Sequence, residues 1–91
     1  MDHQPVLKEQ EKYTEAIEIY NEGIEKNPSQ PKNTTSLFWL HQHKGHSYFD
    51  LNRWEEAIES YLKALEYDRN DNSTVYTHYN LGRSYYNNGN Y

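Results

Sequence analysis

Apolar residues recur along this chain at helical steps, in four blocks separated by turn-forming residues. In the first block Tyr13, Ala16, Ile17, Tyr20 and Ile24 stand three or four residues apart, with Glu and Lys among them, which predicts an amphipathic helix over about 6–26. Pro5 suits its first turn. Asn27-Pro28-Ser29-Gln30-Pro31 ends it, because proline cannot continue a helix and biases the preceding residue toward extended backbone. Asn33, Thr34, Thr35 and Ser36 are all competent caps for a second helix over about 35–51 that carries Phe38, Trp39 and Leu40. A third, over about 54–67, places Trp54, Ala57, Ile58, Tyr61, Ala64 and Leu65 on one face and fades in the polar stretch Asp68-Arg69-Asn70-Asp71-Asn72. Ser73 or Thr74 caps a fourth over about 74–87, and Asn87-Asn88-Gly89-Asn90 reads as a turn. No segment alternates with the period of a strand, so the expected fold class is all-α.

The blocks also echo one another. Tyr13-Thr14-Glu15-Ala16-Ile17-Glu18-Ile19-Tyr20 reappears as Trp54-Glu55-Glu56-Ala57-Ile58-Glu59-Ser60-Tyr61, and Gly45-His46-Ser47-Tyr48-Phe49 as Gly82-Arg83-Ser84-Tyr85-Tyr86. Interleaved echoes at offsets of about 41 and 37 residues predict antiparallel helix-turn-helix repeats, each burying its apolar face only against neighbours. The 91 residues are expected to form one such domain, spanning 1–91.

Composition narrows the function. A mean hydropathy of -1.26 points toward disorder, but 10 tyrosines and 2 tryptophans supply large faces for burial. The formal charge of -5, with Lys and Arg scattered, argues against nucleic acid and suits basic peptides. The absence of cysteine removes disulfide frameworks, thiolate zinc sites and thiol nucleophiles. Neither a leader pattern nor a membrane-length apolar run is present, so a cytoplasmic protein without a membrane partner is expected.

The third helix, together with Tyr79-Asn80-Leu81-Gly82-Arg83-Ser84-Tyr85-Tyr86-Asn87-Asn88-Gly89-Asn90-Tyr91, resembles the tetratricopeptide repeat, a 34-residue helix-turn-helix unit. The resemblance covers most of the chain from Tyr13 onward. It makes Gly45 and Gly82 the small residue of helix A, Tyr48 and Tyr85 the following aromatic, and Tyr13, Trp54 and Tyr91 the residue opening helix B. Ala16, Ala57, Tyr20 and Tyr61 then belong to helix B, with Pro28 as the closing proline. Lys44, His41, His78, Gly23 and Arg69 depart from the pattern, and the links before the second and fourth helices are about seven and three residues longer than the family spacing. Close approach at the glycines and alanines, with aromatics filling the space between layers, is what close packing asks of such residues.

In this register the helix order is B-A-B-A, so the first helix lacks its A partner and the fourth its B partner. Either neighbouring repeats are missing, or the fourth helix of one molecule packs on the first of another in a homodimer or head-to-tail series. Charges placed at Ile17 or Leu81 are expected to disperse such assemblies.

The resemblance also implies a concave ligand face built from A-helix positions: Trp39, Gln42, His43, His46, Phe49 and Asp50, then Tyr76, Tyr79, Asn80, Arg83, Tyr86 and Asn87. Helical spacing sets these opposite Leu40, Tyr48, Leu81 and Tyr85, which are expected to be buried. Rings offer rigid apolar contact, Gln42, Asn80 and Asn87 can bond peptide amides, and Arg83 can pair with a carboxylate; the plain alternative is a solvated face. His43, His46 and Asp50 fall short of a convincing metal site, and protonation of the histidines in acid is the expected consequence. No phosphate loop or strained nucleophile is present. The expectation is a non-catalytic protein-interaction module without cofactor or metal.

Overall fold

The computed structural model describes residues 5–26, 34–67 and 72–89. Within them lie four helices, α1 (Pro5–Lys26), α2 (Thr34–Asp50), α3 (Trp54–Leu65) and α4 (Asn72–Asn87). All four expected helices are present, and no strand occurs among the described residues. Two boundaries differ. Helix α4 begins at Asn72, which puts Ser73 and Thr74 inside its first turn instead of at the cap, and α3 stops at Leu65, with Glu66 and Tyr67 in a turn. Asn27, Pro28, Pro31, Arg69 and Tyr91 lie outside the described residues. No helix among those described is long and apolar enough to cross a membrane.

The helices stack in chain order: α2 packs on α1 and α3, and α4 on α3 with a lighter contact to α2. Helices α1 and α4 occupy opposite ends, and no described residues of one meet the other. Apolar burial is densest where α3 is held between the two A-type helices. Phe38, Ala57, Tyr61 and Ala64 are removed from solvent, and Tyr48, Phe49, Leu65 and Tyr85 pack around Ala57, Ile58, Tyr61 and Leu81. A Cβ on Gly45 would fall 2.8 Å from the Tyr61 ring and 3.2 Å from the Ser60 Cβ, so glycine sets the separation of α2 and α3. Gly82 corrects the expectation that both glycines serve close approach, because nothing among the described residues lies within 4 Å of a Cβ there.

Ile17 and Leu81 are buried at 6% and 9% exposure; Leu81 is buried as expected, and the burial of both corrects the expectation that charges placed there would disperse assemblies. A charge at either would face its own core and unfold the chain before it dispersed an assembly. Leu40, Tyr48 and Tyr85 are half-buried where full burial was expected. Leu40 nevertheless explains Gly23, since a Cβ on residue 23 would lie 3.2 Å from its Cδ2.

Helix α2 ends in a left-handed cap. Asn52 has φ 62°, the Arg53 amide donates to the Tyr48 carbonyl at 2.9 Å, and the Asn52 amide donates to the Phe49 carbonyl at 2.9 Å. This pair of bonds satisfies carbonyls that the helix leaves over and turns the chain back on itself. Helix α4 ends alike, with Gly89 at φ 83° and its amide donating to the Tyr86 carbonyl at 3.1 Å.

Candidate functional site

The open face of α2 and α4 carries two aromatic clusters. In one, the Trp39 and His43 rings stack at 5.5 Å between centroids, and His43 stacks in turn on Tyr20 of α1 at 6.0 Å. In the other, the Arg83 guanidinium lies 4.8 Å from the Phe49 ring centroid and 5.6 Å from that of Tyr79. The second cluster joins α2 to α4 through a cation shared by two rings, on a side chain that remains exposed. Tyr76, Tyr79 and Tyr86 project to solvent, Tyr79 at 62% exposure.

His46 and Asp50 form an i,i+4 pair, Nε2 to Oδ2 at 3.6 Å. The Asp50 charge also reaches Tyr13 of α1 and raises that phenol above its ordinary value. Burial lowers the His43 imidazole, and His46 adds to the effect, so His43 favours its neutral, stacking form. Among the described residues no three His, Asp or Glu side chains converge as a metal would require.

Gln42 and Asn80, both expected to reach a ligand, are instead buried at 3% and 1% exposure. Asn80 donates from Nδ2 to the Tyr76 carbonyl of its own helix at 3.2 Å. The reason is register: each sits on the edge of the A helix that turns toward a neighbouring helix, so an amide there supports the face from beneath. Asn87 remains exposed. The sequence reading missed the contribution of Tyr13 and Tyr20, which it assigned to packing; both are half-buried and extend the face onto α1.

Concave surfaces lie along α4 and between α2 and α3. Around Gly82 runs a groove of about 600 Å³ lined by His78, Tyr79, Arg83, Tyr86 and Asn87. Between α2 and α3 lies a cavity of about 300 Å³ lined by His41, Lys44, Tyr48, Glu56, Glu59 and Lys63. His41 is buried there and its ring stacks on Tyr67 at 6.0 Å. Burial lowers the Lys44 ammonium, an effect that Glu59 opposes, at an A-helix site where the repeat pattern usually has leucine.

A family model described as TPR repeat matches residues 45–89. With the four-helix architecture, this identifies a tetratricopeptide repeat within the chain, which fits a fragment of that family. No curated protein and no solved structure matches it. A TPR repeat is in general a protein–protein interaction module, typically without catalysis, and implies protein partners.

Proposed function

We propose that this chain binds an extended peptide along the exposed face of α2 and α4, through Trp39, His43, His46, Phe49, Tyr76, Tyr79, Arg83 and Tyr86. The observation that carries this reading is Arg83, exposed and within 4.8 and 5.6 Å of the ring centroids of Phe49 and Tyr79, where a guanidinium can pair with a carboxylate or a peptide carbonyl. The flanking tyrosines add rigid contact area at low entropic cost. Gln42 and Asn80 serve by holding the face in shape. The test is selection from a displayed peptide library on the chain, followed by re-measurement on Tyr79→Ala and Arg83→Ala. Loss of binding in both supports the reading. Recovery of no peptide, or of peptides that bind both variants as well as the parent, sinks it.

A second reading, self-assembly through the end helices, is favoured by one observation: among the described residues nothing covers the surface of α4 around Gly82, whereas the equivalent surface of α2 is covered by α3. In that reading α1 and α4 complete a repeat between chains.

A further inference from the structure

The α2–α3 pair is an internal template for what the two ends of the stack can do. At the 41- and 37-residue offsets of the sequence echoes, Ile19 and Tyr20 take the places of Ser60 and Tyr61, Gly82 that of Gly45, and Val75 that of Phe38. Within the template all four places are enclosed: Ser60, Tyr61 and Phe38 are buried, and the first two lie against Gly45. At the ends Ile19 and Val75 stand open at 64% and 67% exposure, Gly82 is exposed, and Tyr20 is half-buried with one face against His43.

The charges of the two ends are complementary. Ile19 sits in a groove of α1 lined by Glu18, Glu22 and Glu25, whereas the groove around Gly82 is lined by Arg83 and His78 on a helix with no acidic residue. The lysines of the α2–α3 cavity, Lys44 and Lys63, correspond to Leu81 and Glu22. A joint built on the template sets Glu18 and Glu22, in the places of Glu59 and Lys63, beside His78 in the place of His41, and the acidic groove of α1 and the Arg83-bearing groove of α4 favour encounter between unlike ends.

We infer that the α4 groove of one copy receives α1 of a second copy, with Tyr20 and Ile19 over Gly82 as Tyr61 and Ser60 lie over Gly45. This rests on the self-assembly reading above and goes beyond it by fixing the register of α1 on α4 and the head-to-tail sense of the contact. Because the complementary surfaces lie at opposite ends of each molecule, the contact is heterologous and adds copies head to tail. It also occupies Tyr79, Arg83 and Tyr86, so assembly and peptide binding exclude each other on α4.

The chain has no cysteine, which makes paired cysteines a clean probe. In the template the Cβ direction of Gly45 meets the Ser60 Cβ at 3.2 Å, close to the separation a disulfide spans. An equimolar mixture of Ile19→Cys and Gly82→Cys chains is expected to give a covalent dimer under mild oxidation, whereas Leu62→Cys, exposed on α3, mixed with Gly82→Cys gives none. Sedimentation equilibrium of the unmodified 91-residue chain is expected to show an average mass rising with concentration, and Gly82→Arg, whose side chain meets open space, to stay monomeric with unchanged helicity. A monomer at every concentration overturns both the inference and the assembly reading. Association that survives Gly82→Arg and yields no Ile19–Gly82 bond overturns the register while leaving assembly by another surface.

Discussion

The ring of Tyr61 occupies the space that a side chain on Gly45 would need to enter: Cδ1 and Cε1 each stand 2.8 Å from the place of a Cβ. Tyr61 is itself removed from solvent and cannot swing aside without opening the core. Gly45→Ala is expected to destabilise the fold by about 1–3 kcal/mol, the range for overpacking a close-packed core. Gly82→Ala meets no such neighbour and exchanges glycine for the best helix former, so it is expected to stabilise by up to about 1 kcal/mol. Urea unfolding of the two variants beside the parent decides this; equal effects would mean that the two glycines are structurally equivalent after all.

Acid is expected to weaken the fold through His41. Burial is the main cause that pushes its imidazole down to about 4 from the ordinary 6.5, with Lys44 and Lys63 adding to the depression and Glu66 opposing it. The unfolded chain takes up this proton near pH 6.5 and the folded chain only near pH 4. Between those values the folded state binds fewer protons, and stability falls as pH drops through that window, by about 3 kcal/mol at most. Replacing His41 by Phe keeps a ring to stack on Tyr67 and removes the titration. The difference in urea midpoint between pH 7 and pH 4.5 should therefore shrink in His41→Phe; an unchanged difference would place the acid sensitivity elsewhere.

Asn52 closes α2 with a backbone conformation that few side chains accept. Its φ of 62° costs a residue with an ordinary Cβ roughly 1–2 kcal/mol, and asparagine or glycine less. Asn52→Ala is expected to lower stability by about 1 kcal/mol and Asn52→Gly to leave it equal or slightly higher. Thermal melts of the pair are sufficient, and a more stable alanine variant would contradict the cap.

On the aromatic face, binding and stability should separate. Tyr79→Ala and Arg83→Ala alter exposed groups and are expected to change stability by no more than about 0.5–1 kcal/mol while weakening peptide capture. Asn80→Ala removes a buried hydrogen-bonded amide and is expected to cost about 1–3 kcal/mol without discriminating among peptides. Arg83→Lys should fail to restore capture, because an ammonium lacks the planar, delocalised, five-donor group that can contact Phe49 and Tyr79 and still bond a carboxylate. Full recovery with lysine would reduce the role of Arg83 to charge alone.

The helices were legible in the sequence because Ala16, Ile17 and Tyr20, like Ala57, Ile58 and Tyr61, keep a helical step that polar residues do not blur. Pairing across helices was legible at Gly45, where a repeat pattern and a steric need coincide. Gly82 shows where that legibility stops: the same letter in the same register meets nothing, since its meaning depends on a neighbouring helix. The face was half legible. Exposed rings such as Tyr79 and Tyr86 followed from spacing, but Gln42 and Asn80 lie at its edge, where a small rotation of the helix decides between solvent and burial. Tyr20 escaped because its contact with His43 depends on how α1 crosses α2, which periodicity does not encode.

Helix α4 buries Thr77, Asn80 and Ser84, yet each bonds a carbonyl four residues back on the same helix: Ser84 Oγ donates to Asn80 at 2.9 Å, Thr77 Oγ1 to Ser73 at 3.0 Å, and Asn80 to Tyr76. These polar groups meet their needs without help from across the seam. A unit built this way can be duplicated or transplanted along a chain, because the new junction it creates inherits a demand for volume and none for hydrogen-bond partners at those three residues.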